Sequence, residues 1–303
     1  MSTTNVDLSA PPNRTVRTRD GVTLSYDVIG DGPETLVLAN GLGGRLYAWE
    51  PLIRALVPRY RVITWDYRGL FDSSAPVLRR HLSLPDHAHD AAAILDAEGV
   101  DRAVFFGWSM GVQVSLEFAT LYPERVAGLV LLNGTYGHAF SSGFQPLFRV
   151  PFAGKWGHRL VDYLLDHPEF RESLAKFAQH TVDPTLRVFS WISGTSPTQL
   201  RPAISRYMRE VFDEKSFPNY LRLFQELDAH SVYHHLRDIR APALVISGAF
   251  DWFTPAYQSR EIAARLPFAE SLHLLRGSHF VLLERPEVVM PAIERFLSER
   301  TRW

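Results

Sequence analysis

The sequence predicts an α/β protein: a mostly parallel, eight-stranded sheet flanked by helices, with a helical segment inserted late in the chain. Short, nearly continuous apolar runs alternate with stretches of helical periodicity, as strands buried on both faces require. This rhythm stops between Gly134 and about Asp238. There, bulky side chains recur at helical spacing between prolines and no strand pattern of that kind appears. The expected organisation is a flexible tail at 1–14, a core of 15–133 and 239–303, and a helical cap or lid at 134–238.

Bulk properties narrow the chemistry. The 303 residues are ample for a large α/β domain. With 32 basic against 33 acidic residues there is no net field to draw nucleic acid or an anionic membrane. The absence of cysteine excludes disulfides, thiolate metal sites and cysteine nucleophiles. The opening MSTTNVDLSAPPNR lacks the basic start and apolar core of a signal peptide. No run approaches the roughly 18 apolar residues of a membrane span. A soluble cytoplasmic protein acting on small molecules is expected.

In chain order, Val16–Ile29 broken by Asp20-Gly21 reads as a hairpin. TLVLA at 35–39 is a buried strand that ends in the loop Asn40-Gly41-Leu42-Gly43-Gly44, and Tyr47, Leu52, Leu56 and Val57 mark a helix. RVITW at 61–65 is the next strand, running into a turn-forming loop from Asp66 to Pro76. A helix from about Leu84 to Glu98 stops at Gly99. After the AVFF strand, its turn and its helix come VAGLVLL at 126–132, the insertion, and ALVIS at 243–247. A helix near 257–266, a strand at 271–275 and a last helix from Pro286 to about Arg300 complete the chain.

The organising stretch is Ala103–Tyr122, where an apolar run meets Gly107-Trp108-Ser109-Met110-Gly111 and a helical pattern follows. A tight strand-to-helix turn strains the backbone at its centre, and side chains at 107 and 111 would collide with neighbouring elements. Ser109 is thereby lifted clear of the sheet. The Met110 amide falls in the first helical turn, where unpaired N–H groups and the macrodipole favour an oxyanion. A nucleophilic serine needs a base, and the base an orienting acid. Asp251 follows the strand at 243–247 and His279 follows the next one. The order Ser, Asp, His, each past the carboxyl end of a strand, suits an open α/β sheet.

These residues resemble the α/β-hydrolase superfamily, in its single-chain esterase, lipase and C–C hydrolase branch, along nearly all of the chain after residue 15. The family's H-G-x-G oxyanion loop appears as Asn40-Gly41-Leu42-Gly43, so the resemblance implies that the Leu42 amide joins that of Met110. Its D-x-R-G-x-G-x-S loop appears as Asp66–Ser73, its G-x-x-D-x-x-x-P acid loop as Gly248–Pro255, and its G-x-H loop with a later E-x-P as Gly277–Pro286. Three positions depart from the pattern. Asn40 replaces a histidine, Phe71 replaces the second glycine of the second loop, and Val112 replaces a further glycine and suggests looser packing of the helix after Ser109.

Other features have plainer readings. His87 and His89 would point about 200° apart on a helix, so no metal site is expected there. Adjacent His234 and His235 also face different ways. Asp66 and Arg68 are expected to pair and hold loops near the site. Candidate substrate-lining residues are Trp108, Phe140, Phe144, Trp191, Trp252 and Phe280.

The leading function is ester hydrolysis by a Ser109–His279–Asp251 triad through an acyl-enzyme. C–C bond, lactone, haloperoxidase-like or polyester-depolymerase chemistry on the same triad is the alternative, and a non-catalytic ligand receptor is a third. No metal and no cofactor is implied. The expected partner is a small ester or related apolar molecule, with no nucleic acid or membrane and with a homo-oligomer left open.

Overall fold

The computed structural model describes residues 12–139, 153–180, 184, 186–187, 190–191, 197–213, 216–301 and 303. An antiparallel hairpin, β1 (Arg14–Arg17) and β2 (Thr23–Ile29), opens the sheet. Asn13 donates through its backbone and side chain to Asp27 and Val28, tying the start of β1 to β2. Next come β3 (Thr35–Ala39), a single 3₁₀ turn at Leu46–Trp49, α1 (Glu50–Leu56) and β4 (Arg61–Trp65). They are followed by α2 (Leu84–Ala97), β5 (Ala103–Trp108), α3 (Met110–Leu121) and β6 (Val126–Leu132).

Between β6 and β7 lie α4 (Ala153–Asp166), α5 (Pro168–His180), α6 (Pro197–Val211) and α7 (Phe217–Ala229). Then β7 (Ala243–Gly248), α8 (Ala256–Arg265), β8 (Ala269–Leu274), the short α9 (Val281–Glu284) and α10 (Pro286–Glu299) complete the core. The eight strands run in the order β1-β2-β4-β3-β5-β6-β7-β8, and every pairing from β4 to β8 is parallel.

Burial explains the unbroken apolar runs. Along β3, Val37 and Ala39 join Phe105, Leu131 and Val245 in a cluster with Ala91 and Leu95 of α2 and Leu116 of α3. Leu36 and Leu38 face the other way, into a cluster with Phe106, Val130 and Ile246, closed by Leu52 and Ile53 of α1 and Ile293 and Phe296 of α10. A strand sandwiched between helix layers has no solvent face on which a polar residue is cheap.

The helix α2 starts on a capping box, Ser83 with Asp86, and ends before Gly99, whose φ is +62°. Its inner face corrects the expectation that Asp66 and Arg68 pair. Arg68 forks onto Asp90 of α2 at 2.7 and 2.5 Å and reaches Asp20 at 2.9 Å, while Asp66 accepts from Arg45 at 3.0 and 2.9 Å. The chain turns at Arg68-Gly69, and each side chain takes its partner from a different element.

His87 is buried and His89 exposed, as their helical spacing requires. Burial, helped by the nearby Arg68 cation, pushes the His87 imidazole down to about 3. An unfolded chain therefore binds a proton near pH 6 that the folded one refuses, so stability falls as pH drops from about 6.5 toward about 3. In urea titrations across that window, His87→Leu should flatten this acid loss relative to wild type.

Candidate active site

Ser109 sits between β5 and α3 with φ +56° and ψ −116°, a strained backbone for a side chain other than glycine. Its neighbours make the turn feasible. A Cβ on Gly107 would lie 2.4 Å from the Gly111 carbonyl oxygen, and one on Gly111 would lie 1.9 Å from that of Ala39. Either would push α3 off the sheet. Val112, expected to loosen this helix, is instead fully buried, because Gly134 faces it: a Cβ there would come within 2.2 Å of the valine side chain.

Beyond the ends of β7 and β8, His279 Nδ1 lies 2.9 and 3.0 Å from the two Asp251 carboxylate oxygens. Facing a carboxylate, Nδ1 carries the proton, which leaves Nε2 as the acceptor nitrogen. Asp251 is itself saturated with donors. It accepts from the Phe253 and Thr254 amides at 3.0 and 2.9 Å, the Thr254 hydroxyl at 2.7 Å and the Asn133 side-chain amide at 2.6 Å.

Asn133, at the end of β6 with φ +46°, also donates to the Ser278 carbonyl at 2.9 Å and so ties acid loop to base loop. The sequence carries no local signal for this role, since the partners of Asn133 lie 118 and 145 positions away. Glu284 accepts from the Ser278 amide at 2.7 Å and hydroxyl at 2.5 Å, holding the residue before His279. Burial pushes the Glu284 carboxyl upward, and the two Ser278 donors pull it back. The E-x-P after the histidine was the signal for it.

The loop after β3 is anchored by Asn40. Its amide donates to the Thr64 hydroxyl at 3.1 Å and the Trp65 carbonyl at 2.9 Å, and its oxygen accepts from the Trp49 indole at 2.7 Å. An asparagine thus satisfies donor and acceptor sites on one buried side chain. Leu42 and Met110 are both buried. Phe71 takes φ +51°, the conformation a glycine would adopt freely, with the Arg45 guanidinium 4.8 Å from its ring centre.

The lining candidates divide. Phe140 and Phe144 lie outside the described residues. Trp191 is 85% exposed and points to solvent, and Trp252 is half exposed. Phe280 is buried, its ring 5.6 Å from that of His279 and 5.5 Å from Trp108. Phe253, absent from the candidates, has its ring 5.2 Å from His279. Trp108 is less a wall than a strut. Its indole donates to the His279 carbonyl at 2.9 Å, and its far edge fills the space where a Cβ on Gly41 or Gly44 would come within 2.6 Å. A cleft lined by Ala48, Trp108, His279, Phe280 and Leu282 adjoins the histidine.

Comparison with known proteins agrees with the fold. A family described as alpha/beta hydrolase fold matches residues 34–286. The "Putative carbamate hydrolase RutD" of Caulobacter vibrioides is 29% identical over 289 residues, 93% of this chain and 97% of that protein. A Pseudomonas putida 2-hydroxy-6-oxononadienedioate/2-hydroxy-6-oxononatrienedioate hydrolase is 28% identical, covering 93% and 95%. The crystal structure of a hydrolase from Pseudomonas aeruginosa PA01 superposes with a TM-score of 0.73 at 25% identity, covering 94% of this chain and 97% of that one.

Removing the Glu284 carboxylate strands two buried donors on Ser278, each costing about 1–3 kcal/mol. Glu284→Ala should lower the denaturation free energy by about that sum or less and speed amide exchange at Ser278. Unchanged exchange would show that the clamp does not hold the loop.

Proposed function

Because the chain belongs to the alpha/beta hydrolase fold family, we propose that it is a serine hydrolase of carboxylic esters bearing small or apolar acyl groups. The observation that supports this most is the Asp251–His279 pair, a carboxylate saturated by donors and so rigidly aimed at Nδ1 of a histidine. Such a carboxylate holds the imidazole in the tautomer that accepts a proton at Nε2.

Ser109 Oγ attacks the ester carbonyl as its proton passes to His279, and Asp251 stabilises the imidazolium. The tetrahedral oxyanion is met by the Leu42 and Met110 amides, the second aided by the start of α3. Collapse breaks the bond to the alcohol, which leaves with the proton from His279. Water, deprotonated by the same base, then attacks the acyl-serine and frees the acid. No metal or cofactor takes part in these steps.

The helices between β6 and β7 act as a lid, since the segment leaves the sheet at the carboxyl end of β6, the edge that carries Ser109, and Tyr207 within it reaches the loop after β3. Trp108, Phe253 and Phe280 favour an apolar group beside the base. C–C bond hydrolysis is the second reading, prompted by the Pseudomonas putida relative, and would use the same serine and histidine. No described helix is long and apolar enough to cross a membrane.

A panel of p-nitrophenyl esters, enol-lactones and vinylogous 1,5-diketones tests the bond class. Ser109→Ala should fold normally and lose on the order of 10⁴-fold or more of the rate. Retention of a tenth of the wild-type rate would end the assignment. Across a series of rising acyl length, alanine substitutions of lid aromatics should shift the preferred chain length. If none does, the helical segment is not a lid.

A further inference from the structure

The lid helices reach the loop after β3 through a tyrosine hydroxyl. Tyr207, on α6, donates to the Leu42 carbonyl at 2.9 Å. The hydroxyl of Tyr220, on α7, lies 3.3 Å from that of Tyr207. With Tyr207 donating to Leu42, Tyr220 is left to donate to Tyr207, and hydrogen bonds in such a chain reinforce one another. The next loop residue is gripped as well. Gly43 has φ +78°, and a Cβ there would lie 2.4 Å from Val211 and 3.0 Å from Tyr220.

This loop needs an outside hold. Leu42 is flanked by Gly41, Gly43 and Gly44, residues whose backbone rotates at little cost. Within the loop itself a single turn bond, from the Gly44 amide to the Gly41 carbonyl at 2.8 Å, restrains it. The core anchors its entry through the hydrogen bonds of Asn40 and packs the Leu42 side chain, while the Leu42 carbonyl takes its bond from Tyr207. Fixing the Leu42 carbonyl fixes ψ at that residue, and the Leu42 amide lies one bond from the same Cα. Desolvation pushes the Tyr207 hydroxyl well above the ordinary tyrosine range, so it remains a donor into alkaline solution.

We propose that Tyr207 is a positioning residue of the lid, whose hydroxyl, by holding the Leu42 carbonyl, steadies the Leu42 Cα and so keeps the adjoining Leu42 amide facing the developing oxyanion. Transition-state stabilisation then depends on a docked lid, and an enzyme whose lid is open is catalytically incomplete even with its triad intact. This rests on the triad and oxyanion assignment proposed above.

The test uses Tyr207→Phe in the full chain, which keeps the ring and deletes the donor. Losing a direct oxyanion donor costs about 10²–10³ in kcat, so losing its support should cost about tenfold. KM and acyl-length preference should stay as in wild type. A phenylboronic acid, which forms a tetrahedral adduct on the serine, should bind more weakly by a similar factor.

Unchanged kcat, or an altered KM or length preference at constant kcat, would overturn the proposal, the second outcome making Tyr207 a wall of the acyl pocket. Tyr220→Phe removes the supporting donor and should lower kcat about two- to threefold with the same pattern, which carries the test if Tyr207→Phe does not fold. Ser109→Ala separates the two levels: if it stays active the triad reading fails, whereas an inactive Ser109→Ala beside a wild-type-like Tyr207→Phe sinks this inference alone.

Discussion

The site depends on how closely α3 presses against the end of β3. At Gly111 the helix comes so near that a single added carbon would sit 1.9 Å from the Ala39 carbonyl oxygen. That approach brings the helix start, with the Met110 amide, beside the loop that carries Leu42. It also forces Ser109 into its strained turn, since a chain leaving β5 for a helix so near has no room to turn gradually. The strain is borne by the parallel pairing of β5 with β3 and β6, whose buried runs cannot shift without unpacking both layers.

The acid–base end follows a different logic, in which polar side chains replace close packing. Asn133, Thr254 and Glu284 are buried and hydrogen-bonded to the loops that carry Asp251 and His279. Asn133 and Thr254 join elements more than a hundred positions apart, while Glu284 clasps the loop six residues before it. Loops that leave three different strands are thus cross-linked without disulfides, which suits a chain that has no cysteine. Such networks are costly when incomplete, which makes the loops specific in position.

Much of this was legible from residues alone where the signal is local. The strand limits of TLVLA, RVITW and VAGLVLL, the glycines around Ser109 and the start of α10 at Pro286 all follow from short-range pattern. What escaped is non-local. Nothing near Arg68 announces Asp90, twenty-two residues on and one face around a helix. Trp108 read as a pocket wall because an aromatic beside a nucleophile usually is one, while its indole bond runs to a backbone oxygen 171 positions away. No local pattern marks Asn133, although its amide bridges two loops.

The pairing of Val112 with Gly134 makes two positions on different elements a single unit of volume. A larger residue at 134 collides with the valine, while a glycine at 112 leaves a void against an equally bare partner. Either step alone passes through a less stable protein, and only the exchange of both preserves the packing, so the two substitutions are strongly non-additive. Gly134, two residues past β6, thereby decides what side chain can follow the tight turn at Ser109, although it lies on another element.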